Sequence, residues 1–289
     1  MSEQKKVLGV YGAAGSHWVG DGFPVRTVLP SPGVPELSPF LMLDYAGPAH
    51  FTPSNRPRGV EEHPHRGFET VTISYQGSVD HRDSGGNSGT IDPGDVQWMT
   101  AASGVVHEEM HGREFTFKGG YFEMVQLWVN LPAAHKMSKP GYQGILSRQI
   151  PRVELGAGAV ARVIAGSLNG AKGPARTFTP VNVFDVRLEA GARGELNLPS
   201  GQNSAIVLLR GDVIVNGTSA LKGEARIAPL SPAGESVLLE AKAESLILIL
   251  SGEPLNEPVA SYGPFVMNTE AELRQAFEDY RAGRMGSLN

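Results

Sequence analysis

Apolar and polar residues alternate strictly through Thr70-Val71-Thr72-Ile73-Ser74-Tyr75, a period of two that predicts a strand. Gln76-Gly77-Ser78 is a turn signal, and Val79-Asp80-His81-Arg82-Asp83 follows it, so this stretch predicts a hairpin. Residues 39–45 and 124–131 are near-continuous apolar runs, predicting strands buried on both faces, the second ended by Pro132. Val96-Gln97-Trp98-Met99 is entered through the turn Asp92-Pro93-Gly94-Asp95. Residues 11–34, 46–58 and 83–89 carry Gly, Pro, Ser and Asn and predict loops, the first of them separating brief strands around the apolar run 25–29. Near the end, Thr269 with Glu272 three residues on forms a capping box. Leu273, Ala276, Phe277 and Tyr280 then make one apolar stripe before Gly283, predicting a helix near 269–283 packed on a sheet of its own domain.

Beyond residue 145 the strand pattern returns: 182–188 alternates, 205–209 is a buried run, Arg210-Gly211-Asp212 reads as a turn into 213–215, and 237–239 and 246–250 are apolar. Gln76-Gly77-Ser78 matches Arg210-Gly211-Asp212, and Pro93-Gly94-Asp95 matches Lys222-Gly223-Glu224, so the halves read as duplicates. With 289 residues, the chain is expected to form two domains, 1–140 and 141–289, divided in the polar stretch 133–144. Gly (36) and Pro (21) make up about a fifth of the chain, well above the usual ~12%, which strengthens an all-β reading.

Charge removes some functions. The net charge of -5 and the absence of any run of five basic residues exclude an electrostatic footprint for nucleic acid or an anionic membrane. There is no cysteine, hence no disulfide framework or thiolate site. No apolar stretch approaches 18 residues and the chain opens Met-Ser-Glu-Gln-Lys-Lys, so a soluble cytoplasmic protein is expected.

Residues 59–109 carry the chemistry. His63 and His65 are two apart, as are His107 and Glu109, so on strands each pair leaves one face. Two such pairs facing each other make four ligands for one divalent transition metal, iron, manganese, nickel, copper, cobalt or zinc; calcium and magnesium want more oxygen. The duplication places Asn197 and Pro199 at the positions of His63 and His65, and Ser236 and Leu238 at those of His107 and Glu109. All eight histidines lie at or before His135, so a histidine site belongs to the first half alone. Glu69 is either the acceptor for a ligand's second ring nitrogen or an alternative ligand, or else an ordinary salt-bridged strand residue. His81 and His111 read as solvated or structural. Of Trp98, Met99, Met110 and Trp128, which could line a pocket for a flat substrate, Met99 and Trp128 read as plain core.

At His63-Pro64-His65-Arg66-Gly67-Phe68-Glu69, Pro93 to Ala101 and Gly104-Val105-Val106-His107-Glu108-Glu109-Met110, the chain resembles the pirin family of bicupins. The likeness extends to 20–26, 126–132 and 252–255 and is weaker in the second half. It implies two cupin-type β-barrels face to face, a short C-terminal helix, and one metal in the N-terminal barrel, usually assigned as Fe(2+), held by His63, His65, His107 and Glu109. Glu69 stands where general cupins have their glutamate ligand, whereas pirin-like proteins take the carboxylate from the second motif; Ala102 and His111 also depart from the general pattern. Some members are similar to quercetin 2,3-dioxygenase, which implies a small aromatic or enolisable substrate plus O2, carbon monoxide as a product, and Glu109 as catalytic base. Others look like regulators bound to transcription factors or metabolic enzymes, which implies a protein partner and no turnover. The enzyme reading expects an open pocket beside Glu109, and the regulator reading a closed metal.

Overall fold

The computed structural model describes residues 3–13 and 15–288. Antiparallel strands dominate, and the described residues form two α-helices, Arg113–Lys118 and Glu270–Arg281. No helix among them is long and apolar enough to cross a membrane. The strands fall into two compact all-β units. One comprises Ser16–Arg26, Phe40–Ser147 and Leu255–Asn289, and the other comprises Thr27–Pro39, Arg148–Pro254 and the described part of Met1–Gly15.

The histidine-bearing unit has two principal sheets. One runs in the order Gly59–His65, Val105–His111, Val79–Asp83, Ser88–Ile91. The other runs Gly141–Ile145, Val96–Thr100, Phe68–Gln76, Gly120–Asn130, Phe40–Phe51, Phe23–Leu29, His17–Val19. Gly67 lets the chain turn between Gly59–His65 and Phe68–Gln76: its φ is +91° and an added Cβ would lie 1.9 Å from the Val266 carbonyl oxygen. The strand Phe68–Gln76 is buried on both faces up to Tyr75, although its sequence alternates. Val71, Ile73 and Tyr75 are core, whereas Thr72 on the opposite face hydrogen-bonds to Glu109 and Gln126. Its polar face therefore turns to a polar interior rather than to water.

The other unit is a nine-stranded sheet around Val163, Phe184, Val186, Leu208, Val213 and Ile247. The duplication reads directly from register. His63 pairs with His107 across one pair of strands, and Asn197 pairs with Ser236 across another, the positions that the offsets equate.

Several expectations need correction. The units are not cut at 140/141: Gly141–Ile145 pairs with Val96–Thr100, and residues 255–288 complete the histidine-bearing unit. Those pairings are non-local, so no change of composition marks them. The expected loop over 46–58 begins late, because Phe40–Phe51 is one strand paired along Gly120–Asn130. Arg210-Gly211-Asp212 is not a turn either. Asn203–Val215 is continuous, with a register shift between Leu208 and Arg210, and Gly211 permits the close approach of Ser245, whose Oγ would lie 2.2 Å from an added Cβ.

The C-terminal helix forms as predicted, with the Thr269–Glu272 capping box in place. Leu273 and Ala276 are buried with Val106, Phe265, Met267 and Met285, with Phe277 packed against them, while Tyr280 is exposed. Thr269→Ala is expected to lower stability by about 1 kcal/mol, the usual loss for a Thr cap. A urea melt showing no change would mean that Glu272 and packing alone hold the helix start.

Candidate metal centre

His63 and His65 lie on Gly59–His65, and His107 and Glu109 lie on the neighbouring Val105–His111. The register shifts between His107, opposite His63, and Glu109, opposite Val60, so the Gly59–His65 strand carries an extra residue there. On its other side Val105–His111 is regular against Val79–Asp83, so His107 and Glu109 share a face, while Glu108 between them pairs with Arg82.

One ring nitrogen from each of His63, His65 and His107 lies within 4.8 Å of the others. In each ring Nδ1 is already engaged: His63 with Glu61 O at 2.8 Å, His65 with Pro264 O at 3.3 Å, His107 with His81 Nδ1 at 3.4 Å. That leaves Nε2 for a ligand. Burial, reinforced by His63, holds the His65 imidazole down to about 3, and burial followed by the nearby His65, His63 and His81 holds His107 well below its ordinary value. Both rings are therefore neutral lone-pair donors. His107 Nε2 is buried with no hydrogen-bond partner, an orphan that a metal would satisfy. Three imidazoles fit a divalent transition ion better than calcium or magnesium.

Glu109 lies outside that tight group but lines the same cavity. Thr72 Oγ1 donates to its Oε1 at 3.0 Å and the Gln126 amide nitrogen, Nε2, donates to its Oε2 at 3.0 Å. Register explains the arrangement: Thr72 pairs with Gln126, and Gln126 in turn pairs with Asp44, so one row of three strands supplies polar groups to this wall. Thr70, Trp128 and Met42 form the next row. The cavity has a volume of about 310 Å³, and Phe23, Met42, Met124, Trp128 and Pro264 are among the apolar residues around Glu109, His63 and His65.

Trp128 is therefore a wall residue rather than the core residue its apolar run predicts; Trp98 and Met99 are core. Glu69 is buried beside Thr100, whose hydroxyl donates to Oε1 at 2.7 Å, and among the described residues no hydrogen bond joins it to the three histidines. His111 is enclosed by Phe23, Phe51, Phe115 and Phe122, with Nε2 donating to Gly22 O, and is structural. His81 is not solvated: it is buried against His107. Thr72, Gln126 and Pro264 escaped sequence reasoning, as did the contact of His81 with His107. Of these, only Gln126, the polar residue inside an apolar run, left a local signal.

The chain is similar to known proteins along nearly its whole length. Residues 22–129 match the profile of the Pirin family and residues 183–286 that of the Pirin C-terminal cupin domain. A Pseudomonas aeruginosa protein named "Putative quercetin 2,3-dioxygenase PA2418" is 54% identical over 283 residues, covering 97% of this chain and 98% of that one. Human Pirin is 39% identical over 293 residues, covering 99% and 95%. Among solved structures, a quercetin 2,3-dioxygenase from Acinetobacter baumannii superimposes with a TM-score of 0.95 at 51% identity, covering 99% of this chain and 100% of that one. With both cupin units matched and near-complete coverage at these identities, the chain belongs to the pirin family of bicupins.

Proposed function

We propose that His63, His65, His107 and Glu109 hold one divalent transition metal, Fe(2+) in the first instance, and that the site cleaves the ring of a flavonol or similar enolisable substrate with O2, as a quercetin 2,3-dioxygenase does. The observation that carries this reading is the opening of a cavity of about 310 Å³, mainly apolar, onto His63, His65 and Glu109, the first two of which are grouped with His107. Its volume lies at the lower end of the ~300–1,000 Å³ usual for small-molecule sites. The names of the relatives from Pseudomonas and Acinetobacter support the same chemistry.

A bound ion would supply Lewis acidity toward an anionic substrate oxygen and one-electron chemistry toward dioxygen. The protein's own groups do the rest. Trp128, Phe23 and Met124 receive a flat ring and exclude water from it. Glu109 is the base for the substrate hydroxyl proton, because its carboxylate lines the cavity with His63 and His65 and lies on the strand that also carries His107. Thr72 and Gln126 hold one oxygen each, fixing the carboxylate's plane while leaving each oxygen a lone pair. His63, His65 and His107 hold the ion and move no proton.

The test is aerobic incubation with quercetin of protein stripped and reloaded separately with Fe(II), Mn(II), Ni(II), Cu(II), Co(II) and Zn(II). Loss of the flavonol absorbance and release of carbon monoxide are followed, with Glu109→Gln and His63→Ala as controls. Metal-dependent turnover is expected, falling by about 10²-fold or more in both variants. Absence of turnover with every metal, in protein shown to hold one ion, overturns the quercetinase reading in favour of metal-dependent regulation through a protein partner.

A further inference from the structure

We propose that His81 and Asp83 are positioning residues that keep the proton of His107 on Nδ1 and thereby aim its Nε2 lone pair at the metal. The inference rests on the metal-binding part of the reading above and is independent of the dioxygenase chemistry.

The three candidate ligands are oriented in two different ways. His63 and His65 each face a backbone carbonyl oxygen, Glu61 O and Pro264 O. A carbonyl only accepts, so in both rings Nδ1 must carry the proton. His107 faces another imidazole nitrogen, His81 Nδ1, which can play either part. The ambiguity is resolved at the far side of His81, where Nε2 lies 3.3 Å from Asp83 Oδ2. An ionised carboxylate only accepts, so a His81 ring with one proton bears it on Nε2 and presents a bare Nδ1. His107 must then donate from Nδ1, and its Nε2, buried and without a partner, is left bare. The reverse arrangement would set a lone pair of His81 against the Asp83 carboxylate and leave a buried N–H on His107 with no acceptor.

The surroundings hold both residues in place. Asp83 Oδ1 accepts from the backbone N–H of Gly85 at 2.9 Å and of Asn87 at 3.0 Å, and from Asn87 Nδ2 at 3.0 Å. Asn87 Nδ2 also reaches Oδ2 at 3.0 Å. The His81 ring stacks on Tyr142, with centroids 5.1 Å apart and planes at 18°. The contacts at 3.3 and 3.4 Å are long for hydrogen bonds, so the pair acts by deciding which nitrogen bears the proton rather than by strength.

This logic makes Asp83→Asn a directed test. Two backbone N–H groups, which cannot turn away, point at the Oδ1 position, whereas the Asn87 amide reaches both oxygens and can turn its own oxygen toward Oδ2, so the oxygen of an asparagine goes to the Oδ1 position and its NH2 faces His81. His81 Nε2 then becomes an acceptor, its proton moves to Nδ1, and His107 is turned to the tautomer whose Nε2–H blocks the metal. His81→Phe keeps the stack on Tyr142 but breaks the connection, so the asparagine can no longer instruct His107.

The experiment is Co(II) titration of metal-stripped protein in competition with a chelator, for wild type, Asp83→Asn, His81→Phe and the double variant. It is paired with ¹⁵N NMR of the His107 ring in the metal-free proteins and thermal melts to show that each is folded. Asp83→Asn is expected to weaken cobalt binding about 10–100-fold and to move the His107 proton from Nδ1 to Nε2. The double variant is expected to match His81→Phe within about twofold, since the two changes act on one connection. The proposal is overturned if folded Asp83→Asn binds cobalt as wild type does, if its penalty persists in full beside His81→Phe, or if the His107 proton stays on Nδ1. Wild-type protein that takes up no cobalt overturns it together with the metal site, whereas failure to turn over quercetin leaves it standing.

Discussion

Lys136→Met is expected to lower the free energy of unfolding by about 3 kcal/mol, through three buried acceptors left without donors at about 1–3 kcal/mol each, less the relief of no longer burying an ammonium group. Lys136 is 1% exposed. Its Nζ donates to Gly67 O at 2.7 Å, Asn130 Oδ1 at 2.6 Å and Val266 O at 2.9 Å. Three acceptors match the three protons of an ammonium group and no other side chain of that length. The lysine thus ties the start of Phe68–Gln76 and the end of Gly120–Asn130 to the C-terminal hairpin of Ala260–Tyr262 and Phe265–Met267, whose Pro264 lines the cavity and accepts from His65. Urea melts of wild type and variant at neutral pH measure the loss. A difference below about 1 kcal/mol would show that neighbouring backbone or water satisfies the three oxygens without the lysine. Weakened metal binding should accompany the loss, because the carbonyl that orients His65 is anchored through the same hairpin.

Lys136 also marks the limit of what was legible. In the sequence it is one polar residue of the stretch 133–144, read as a boundary, yet two of its partners lie 69 and 130 residues away. The grouping of His63, His65 and His107 was legible because strand geometry maps a spacing of two onto one face, a local rule, and because the duplicated half has no histidine at the matching positions. The oxygens and nitrogens that orient them were not: Thr72 and Glu109 are 37 residues apart, and His65 and Pro264 are 199 apart. Strands were likewise legible by alternation or apolar runs, but which face met water was not. Thr72 looks like a solvent-facing position and is buried, because the polar partner it faces is Glu109 rather than water. Trp128 shows the converse, an apolar residue on a cavity wall that its run could not distinguish from core.

Glu69 stands where the general cupin pattern has a ligand, yet here it is buried beside Thr100. Burial pushes its carboxyl up to about 7 from 4.5, with the Thr100 hydroxyl pulling part of the way back. The folded state therefore holds a proton between pH 4.5 and 7 that the unfolded state has released. Stability on this account is fully present below pH 4.5, falls as pH rises toward 7, and is level above it. A difference of 2.5 pH units corresponds to about 3 kcal/mol, as an upper figure. Glu69→Gln keeps the shape and an acceptor for Thr100 and cannot ionise, so its urea-melt stability should lack this fall and exceed that of wild type at pH 8. Parallel curves for the two proteins between pH 4.5 and 8 would mean that Glu69 ionises in the fold as easily as in the unfolded chain. The same variant separates two roles at one position: a glutamate that ligates the metal, as in general cupins, would lose affinity on becoming glutamine. In this fold the protonated residue sits against Thr100, and cobalt affinity near pH 6 should be unchanged within about twofold.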